Sequence, residues 1–145
     1  MAIADRTATA VWKGGLKSGG GVITTQSGVL KEQEYSFVTR FENKVGTNPE
    51  ELIAAAHAGC YSMALSAELD KAGHPPASID TTAKVTLDMV NGAPTVNKIL
   101  LTVKGSVPGI DAAKFQEFAE GAKKNCPISR LLAAAEITLD AQFVG

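Results

Sequence analysis

Gly46-Thr47-Asn48-Pro49-Glu50-Glu51-Leu52-Ile53-Ala54-Ala55-Ala56-His57-Ala58-Gly59-Cys60 is the stretch on which the fold turns. Several helix-start rules coincide in it. Asn48 suits the N-cap, Pro49 the first helical position and Glu51 the third, which completes a capping box in its Asn form. Glu50 and Glu51 both lie at the positive end of the helix dipole. The helix should run through Leu52, Ile53, Ala56, Cys60, Met63, Ala64 and Ala67 to Lys71 or Ala72, with Gly73 as its stop and Pro75-Pro76 barring continuation. Between Leu52 and Ala67 it is Ala-rich and nearly uncharged, as expected of a central helix enclosed on most sides. That run is about a turn short of the ~20 residues of a membrane span and contains His57 and Ser62, so no membrane association is expected.

Upstream, residues 7–12 are β-prone, and the glycines from Gly14 to Gly21 mark a turn before Val22, Ile23, Thr24 and Thr25, which predicts a hairpin. A turn at Ser27-Gly28 follows. The alternation over residues 34–41 then predicts a third strand, with Tyr35, Phe37, Thr39 and Phe41 on one side and Arg40 on the other with Ser36 and Val38. Downstream, residues 79–89 and 96–107 read as strands joined by a turn at Asn91-Gly92-Ala93-Pro94. Asp111 should cap a helix over 112–124, with Phe115, Phe118, Ala119 and Ala122 on one side. Cys126-Pro127 breaks that helix and starts a short one ending near Ala133, and residues 136–143 form a last strand. The order ββ(β)-α-ββ-α-α-β has too few regular crossovers for a doubly wound parallel sheet, so the class is α+β, in one domain over residues 1–145.

Composition narrows the function. The 145 residues include 14 Lys plus Arg and 15 Asp plus Glu, a net charge of −1, with no basic block of the kind that phosphate backbones require. No nucleic-acid partner is expected. Hydrophobic residues make up 45% and charged residues 20%, which argues for a folded rather than a disordered chain. The N-terminus carries Asp5 and no apolar signal core, so a cytoplasmic location is expected. Two cysteines are too few for a secreted disulfide scaffold or a four-thiolate zinc site, leaving inert core thiols, redox chemistry or nucleophilic chemistry.

The simplest account of Cys60 is a small apolar residue filling a tight helix contact. Cys126 stands before Pro127 at a helix N-terminus with Lys123 and Lys124 just upstream, and both influences favour its thiolate. His57 and Cys60 are three apart on one helix face, but His74 sits in a turn and no close pair supplies the second half of a metal site, so no metal is expected. His57 reads as a helix-surface or contact residue that could also polarise Cys60 from one turn away. Glu51 is the better capping-box member, leaving Glu50 freer for chemistry. Arg40 gains importance if a thiolate must be held nearby.

Arg40-Phe41, the run from Gly46 to Leu52, Ala55-Ala56-His57-Ala58-Gly59-Cys60 with Ser62-Met63-Ala64-Leu65, and Asn125-Cys126-Pro127-Ile128-Ser129 together closely resemble the OsmC/Ohr family of thiol-dependent peroxidases. Val11-Trp12, Thr24-Thr25-Gln26-Ser27-Gly28-Val29-Leu30 and Ser78-Ile79-Asp80-Thr81-Thr82-Ala83 are similar to its OsmC branch in particular. The resemblance implies antiparallel sheets around a long central helix in an interlocked homodimer. It further implies reduction of organic hydroperoxides, with hydrogen peroxide a poorer substrate, recycling by a dithiol such as a dihydrolipoyl group, and no metal, haem, flavin or other cofactor. Carried over, Cys60 matches the peroxidatic cysteine, Cys126 the resolving cysteine, Arg40 the thiolate-stabilising arginine and Glu50 its carboxylate partner. The different expectation on the same fold is a redox-sensing or small-ligand-binding module without turnover.

Two physical points bear on that assignment. Local electrostatics make Cys126 the more acidic thiol, whereas the resemblance gives the first attack to Cys60. In a straight helix the ten residues from Glu50 to Cys60 rise ~15 Å, too far for both side chains to share one site, so Glu50 is expected to serve Cys60 of a second subunit.

Overall fold

The computed structural model describes all residues, 1–145. Its contacts divide it into two compact units, Met1–Leu52 and Ile53–Gly145. The first unit holds β1 (Ala8–Lys13), β2 (Gly20–Thr25) and β3 (Gln33–Tyr35) in one antiparallel sheet of that order. Gly21 is paired with Trp12 on one side and Tyr35 on the other, and the two rings meet edge to face across it, centroids 5.4 Å apart. A Cβ on Gly21 would stand 2.6 Å from the Tyr35 ring, so only glycine lets the aromatics close over the strand.

The third strand stops well short of the expected stretch: after Tyr35 the chain forms a short helix, α1 (Phe37–Phe41). Phe37 and Phe41 share a side in either conformation, which is why alternation misleads here. What selects the helix is local bonding. The Ser36 N–H donates to Thr39 Oγ1 (2.8 Å), the Thr39 hydroxyl returns a bond to the Ser36 carbonyl (3.0 Å), and the Phe37 and Phe41 rings stack at 4.9 Å. Arg40 therefore lies in the last turn of a helix and not on a strand.

Helix α2 (Pro49–Lys71) runs without interruption. Asn48 caps it as expected, its Oδ1 accepting from the Glu51 N–H at 2.8 Å, but the Glu51 carboxylate accepts from Thr47 Oγ1 (3.2 Å) instead of closing the capping box. At the far end Gly73 takes φ +85°, and the His74 and Gly73 N–H groups donate to the carbonyls of Leu69 (2.8 Å) and Asp70 (3.0 Å), a Schellman stop.

In the second unit β4 (Ser78–Val90) and β5 (Ala93–Ser106) form a long hairpin turned by Asn91 (φ 51°) and Gly92 (φ 78°). Helix α3 (Ala112–Asn125) is capped by Asp111, whose side chain accepts from the Lys114 N–H; α4 (Pro127–Leu131) and β6 (Glu136–Phe143) follow. The α+β class holds, with one correction to the sheets: β6 pairs with β5 in parallel, which makes the second sheet mixed. The helical crossover through α3 and α4 brings the chain back to the same end of the sheet, which permits parallel pairing.

Tyr61, Leu65 and Leu69, spaced four apart on α2, form the core with alternate β5 residues Ile99, Leu101 and Val103 and with Phe115, Ala119 and Ala122 of α3. Tyr61 donates its hydroxyl to the Ala119 carbonyl at 2.9 Å. Gly105 is small because the Phe115 ring occupies the space a Cβ would need. Helix α2 is less enclosed than its composition predicts: Ala55, Ala56, Gly59, Met63 and Ala67 are exposed in the single chain. Both faces of an Ala-rich helix are apolar, so hydropathy does not say which one packs. No helix is long and apolar enough to cross a membrane.

Candidate active site

The second unit brings its two thiols together. Cys60, midway along α2, is half-buried; Cys126 is fully buried; both are free, and Cys126 Sγ lies in donor geometry 3.3 Å from Cys60 Sγ. The sequence around Cys126 explains its position. Proline disfavours helical backbone in the residue before it, and Cys126 accordingly has φ −54° and ψ 124°. It ends α3, donating its N–H to the Ala122 carbonyl (2.8 Å), and begins α4 with Pro127 in the first turn. The sulfur is thus held at a kink between two helices.

Burial is the largest influence on Cys60 and pushes its thiol above the ordinary value of 9.0. The Ile128 N–H opposes that shift, and the adjacent Cys126 sulfur reinforces it. The first turn of α4 therefore directs an N–H at Cys60, whereas the sequence alone suggests that Cys126 profits from this helix end. Lys123, the other expected source of acidity, is paired with Glu120 at 3.5 Å. Solvent reaches Cys60 and not Cys126.

Of the two expectations for His57, surface or contact, the structure bears out contact. The residue is completely buried, its Nε2 is 2.7 Å from Ser129 Oγ, and burial lowers its pKa below the ordinary 6.5. Tyr61, Leu65 and Leu69 continue its side of the helix at four-residue spacing, and that periodicity was the available signal for its burial. Ile128 and Ser129 belong to the Asn125–Ser129 motif around Cys126, but the sequence assigns neither of them a role. No three His, Cys, Asp or Glu side chains gather in an arrangement that would hold a metal ion.

The first unit brings Arg40 and Glu50 together. Arg40 Nη2 donates to Glu50 Oε1 at 2.8 Å, and its Nε donates to both carboxylate oxygens at 3.2 Å. Such a fork fixes the plane of the guanidinium. Glu50 is buried in the first turn of α2, where the helix end favours its charge; Arg40 also lies over the Phe41 ring at 5.3 Å. Asn48 ties the two helices by donating from Nδ2 to the Thr39 carbonyl (3.1 Å).

An α+β chain with two unbonded thiols in contact, one open and one buried, has the features of a dithiol redox protein. The comparisons name the family. Residues 41–141 match the OsmC family, described as OsmC-like protein. The chain is 55% identical over 132 residues to peroxiredoxin OsmC of Escherichia coli K12, covering 91% of this chain and 92% of that one. It is 31% identical over 110 residues to organic hydroperoxide resistance protein OhrB of Bacillus subtilis, covering 76% and 79%. Among solved structures, an organic hydroperoxide resistance protein from Elizabethkingia anophelis superposes with a TM-score of 0.76 at 26% identity, over 98% of this chain and 99% of that one. The protein belongs to the OsmC family.

Proposed function

We propose that the protein is a cysteine-based peroxidase that reduces organic hydroperoxides to alcohols in stress defence. The 3.3 Å approach of the two sulfurs is the observation that carries this reading. The Cys60 thiolate attacks the outer peroxide oxygen; the O–O bond breaks and the alkoxide leaves as the alcohol with one proton. The Cys60 sulfenic acid then reacts with the Cys126 thiol, forming an S–S bond and releasing water. A dithiol of the lipoyl type reopens the disulfide by exchange and is itself oxidised. The exposure of Cys60 and the burial of Cys126 support this order of events, as does the Ile128 N–H directed at Cys60.

Cys60 needs a cation, because burial raises its thiol. Arg40, oriented by Glu50, carries a permanent charge in a directional fork suited to that role. The ten-residue separation of Glu50 and Cys60 along one continuous helix supports supply by Arg40 of the partner subunit in an interlocked homodimer. The exposed Ala56, Gly59, Met63 and Ala67 of α2 support such pairing. In this reading residues 1–145 act as one OsmC/Ohr-like domain in the cytoplasm, without a cofactor. The test is steady-state turnover of cumene hydroperoxide with dihydrolipoamide, which should be lost in Cys60→Ser. Cys126→Ser should support one oxidation of Cys60 and no dithiol-supported cycling. Multiple turnover in Cys60→Ser would refute the reading.

A further inference from the structure

None of the steps above employs His57, yet no polar side chain in the protein is more deeply buried. Its Nε2 is 2.7 Å from Ser129 Oγ, itself 3% exposed, while its Nδ1 has no partner. Burial keeps the ring neutral near pH 7. With the proton on Nε2 the ring donates to Ser129 Oγ and leaves a bare lone pair at Nδ1. The other tautomer would bury an N–H with no acceptor, which is the less favourable choice. In either form the single hydrogen-bonded anchor of the ring is α4, and His57 makes no hydrogen bond to either sulfur.

The bond joins two segments that each hold one thiol. His57 is one helical turn before Cys60 on α2, and Ser129 is three residues after Cys126 on α4. Helix α4 is only five residues long, follows the kink at Cys126 and begins with a proline that has no N–H. At its two ends the Arg130 N–H donates to the Cys126 carbonyl (3.0 Å) and the Leu132 N–H to the Ile128 carbonyl (2.9 Å). A helix this short depends on tertiary contacts for its position.

We infer that the His57–Ser129 hydrogen bond is a latch that holds α4 on α2 and so positions Cys126 for the resolving step. This rests on the peroxidase reading. In that step the Cys126 sulfur attacks the Cys60 sulfenic acid: the S–S bond forms, the S–O bond breaks, and hydroxide leaves as water with the Cys126 proton. The sulfurs must move from 3.3 Å to the ~2.05 Å of a disulfide. The rate depends on how closely that approach is prearranged. Attack of Cys60 on peroxide needs no such alignment with Cys126. His57 and Ser129 are positioning residues.

The test separates the two steps. Reduced full-length protein is mixed with cumene hydroperoxide, quenched over time with a sulfenic-acid trap and a thiol-alkylating reagent, and scored by mass for free thiol, trapped sulfenate and disulfide. In Ser129→Ala, loss of the Cys60 thiol should stay within about twofold of wild type while disulfide closure slows about tenfold or more, so that trapped sulfenate accumulates. Ser129→Thr, which keeps the hydroxyl, should restore closure. Melting by circular dichroism establishes folding; if Ser129→Ala does not fold, His57→Gln, which keeps a side-chain N–H donor, and His57→Leu form the same comparison. Equal slowing of both steps, slowing of neither, or failure of the hydroxyl or N–H to restore closure would overturn the latch. A wild-type protein that forms no Cys60–Cys126 disulfide would overturn the peroxidase reading with it; normal wild-type cycling beside an unslowed variant would overturn the latch alone.

Discussion

The two units hold their chemistry by opposite means. In the first, Arg40 and Glu50 are joined by charged hydrogen bonds of 2.8 and 3.2 Å, with Glu50 buried at the start of a helix and Arg40 about one-third exposed. In the second, Cys60 and Cys126 are packed as free thiols among Tyr61, Ala119, Ala122 and other apolar residues, and burial raises the pKa of the one that solvent reaches. An apolar site suits an alkyl hydroperoxide but disfavours the thiolate that must attack it. A forked cation serves the thiolate but needs a carboxylate to orient it. In the proposed mechanism each unit holds what the other lacks.

That division can be broken from either side, and the largest effect belongs to the thiols. Cys60→Ser should reduce hydroperoxide turnover to background, since the second thiol of the site, Cys126, is fully buried and solvent does not reach it. Next comes the cation. Arg40→Met should lower the rate of Cys60 oxidation about a hundredfold and move its pH profile to higher pH, because the thiolate would then form only against burial. Arg40→Lys should recover little, since an ammonium cannot reproduce the fork. A pH profile unchanged in Arg40→Met would show that the guanidinium does not act on Cys60.

Smaller effects concern stability. Gly105→Ala would drive a methyl group into the Phe115 ring and should destabilise the second unit by about 1–3 kcal/mol, measured by urea unfolding. An unchanged midpoint would mean that Phe115 moves aside freely. The smallest is a pH effect. The folded His57 binds a proton less readily than the unfolded chain does, so its contribution to stability is complete above pH 6.5 and declines as pH falls below that value. His57→Gln should remove that component of the acid-side slope of the melting temperature while leaving the carboxylates' share. An identical slope in both proteins would contradict the assignment.

Much of this architecture was readable residue by residue. Asn48, Pro49 and Gly73 mark the ends of α2, Asp111 caps α3 and Asn91-Gly92 turns the hairpin, because caps and turns are decided by a few neighbouring atoms. Sequence and structure differ where local pattern is ambiguous or where distant atoms decide. Phe37 and Phe41 fit a strand or a helix, and only the Ser36–Thr39 bonds separate the two. The start of α4 reads in the sequence as acting on Cys126, whereas the fold directs the Ile128 N–H at Cys60. The sequence names no partner for His57, because Ser129 lies 72 residues away along the chain.

The sequence by itself determined the α+β class, the boundaries of the long helix, the two cysteines and, by family resemblance, the kind of chemistry they serve. Those features depend on short-range rules and on motifs that survive as strings of residues. Tertiary structure alone decided that Cys60 and Cys126 stand 3.3 Å apart, that the Arg40 fork closes on Glu50, that His57 is buried against Ser129, and that β6 runs parallel to β5. These are meetings of residues far apart in the chain, or choices between two locally acceptable conformations. Packing resolves both, and a linear pattern carries no record of packing.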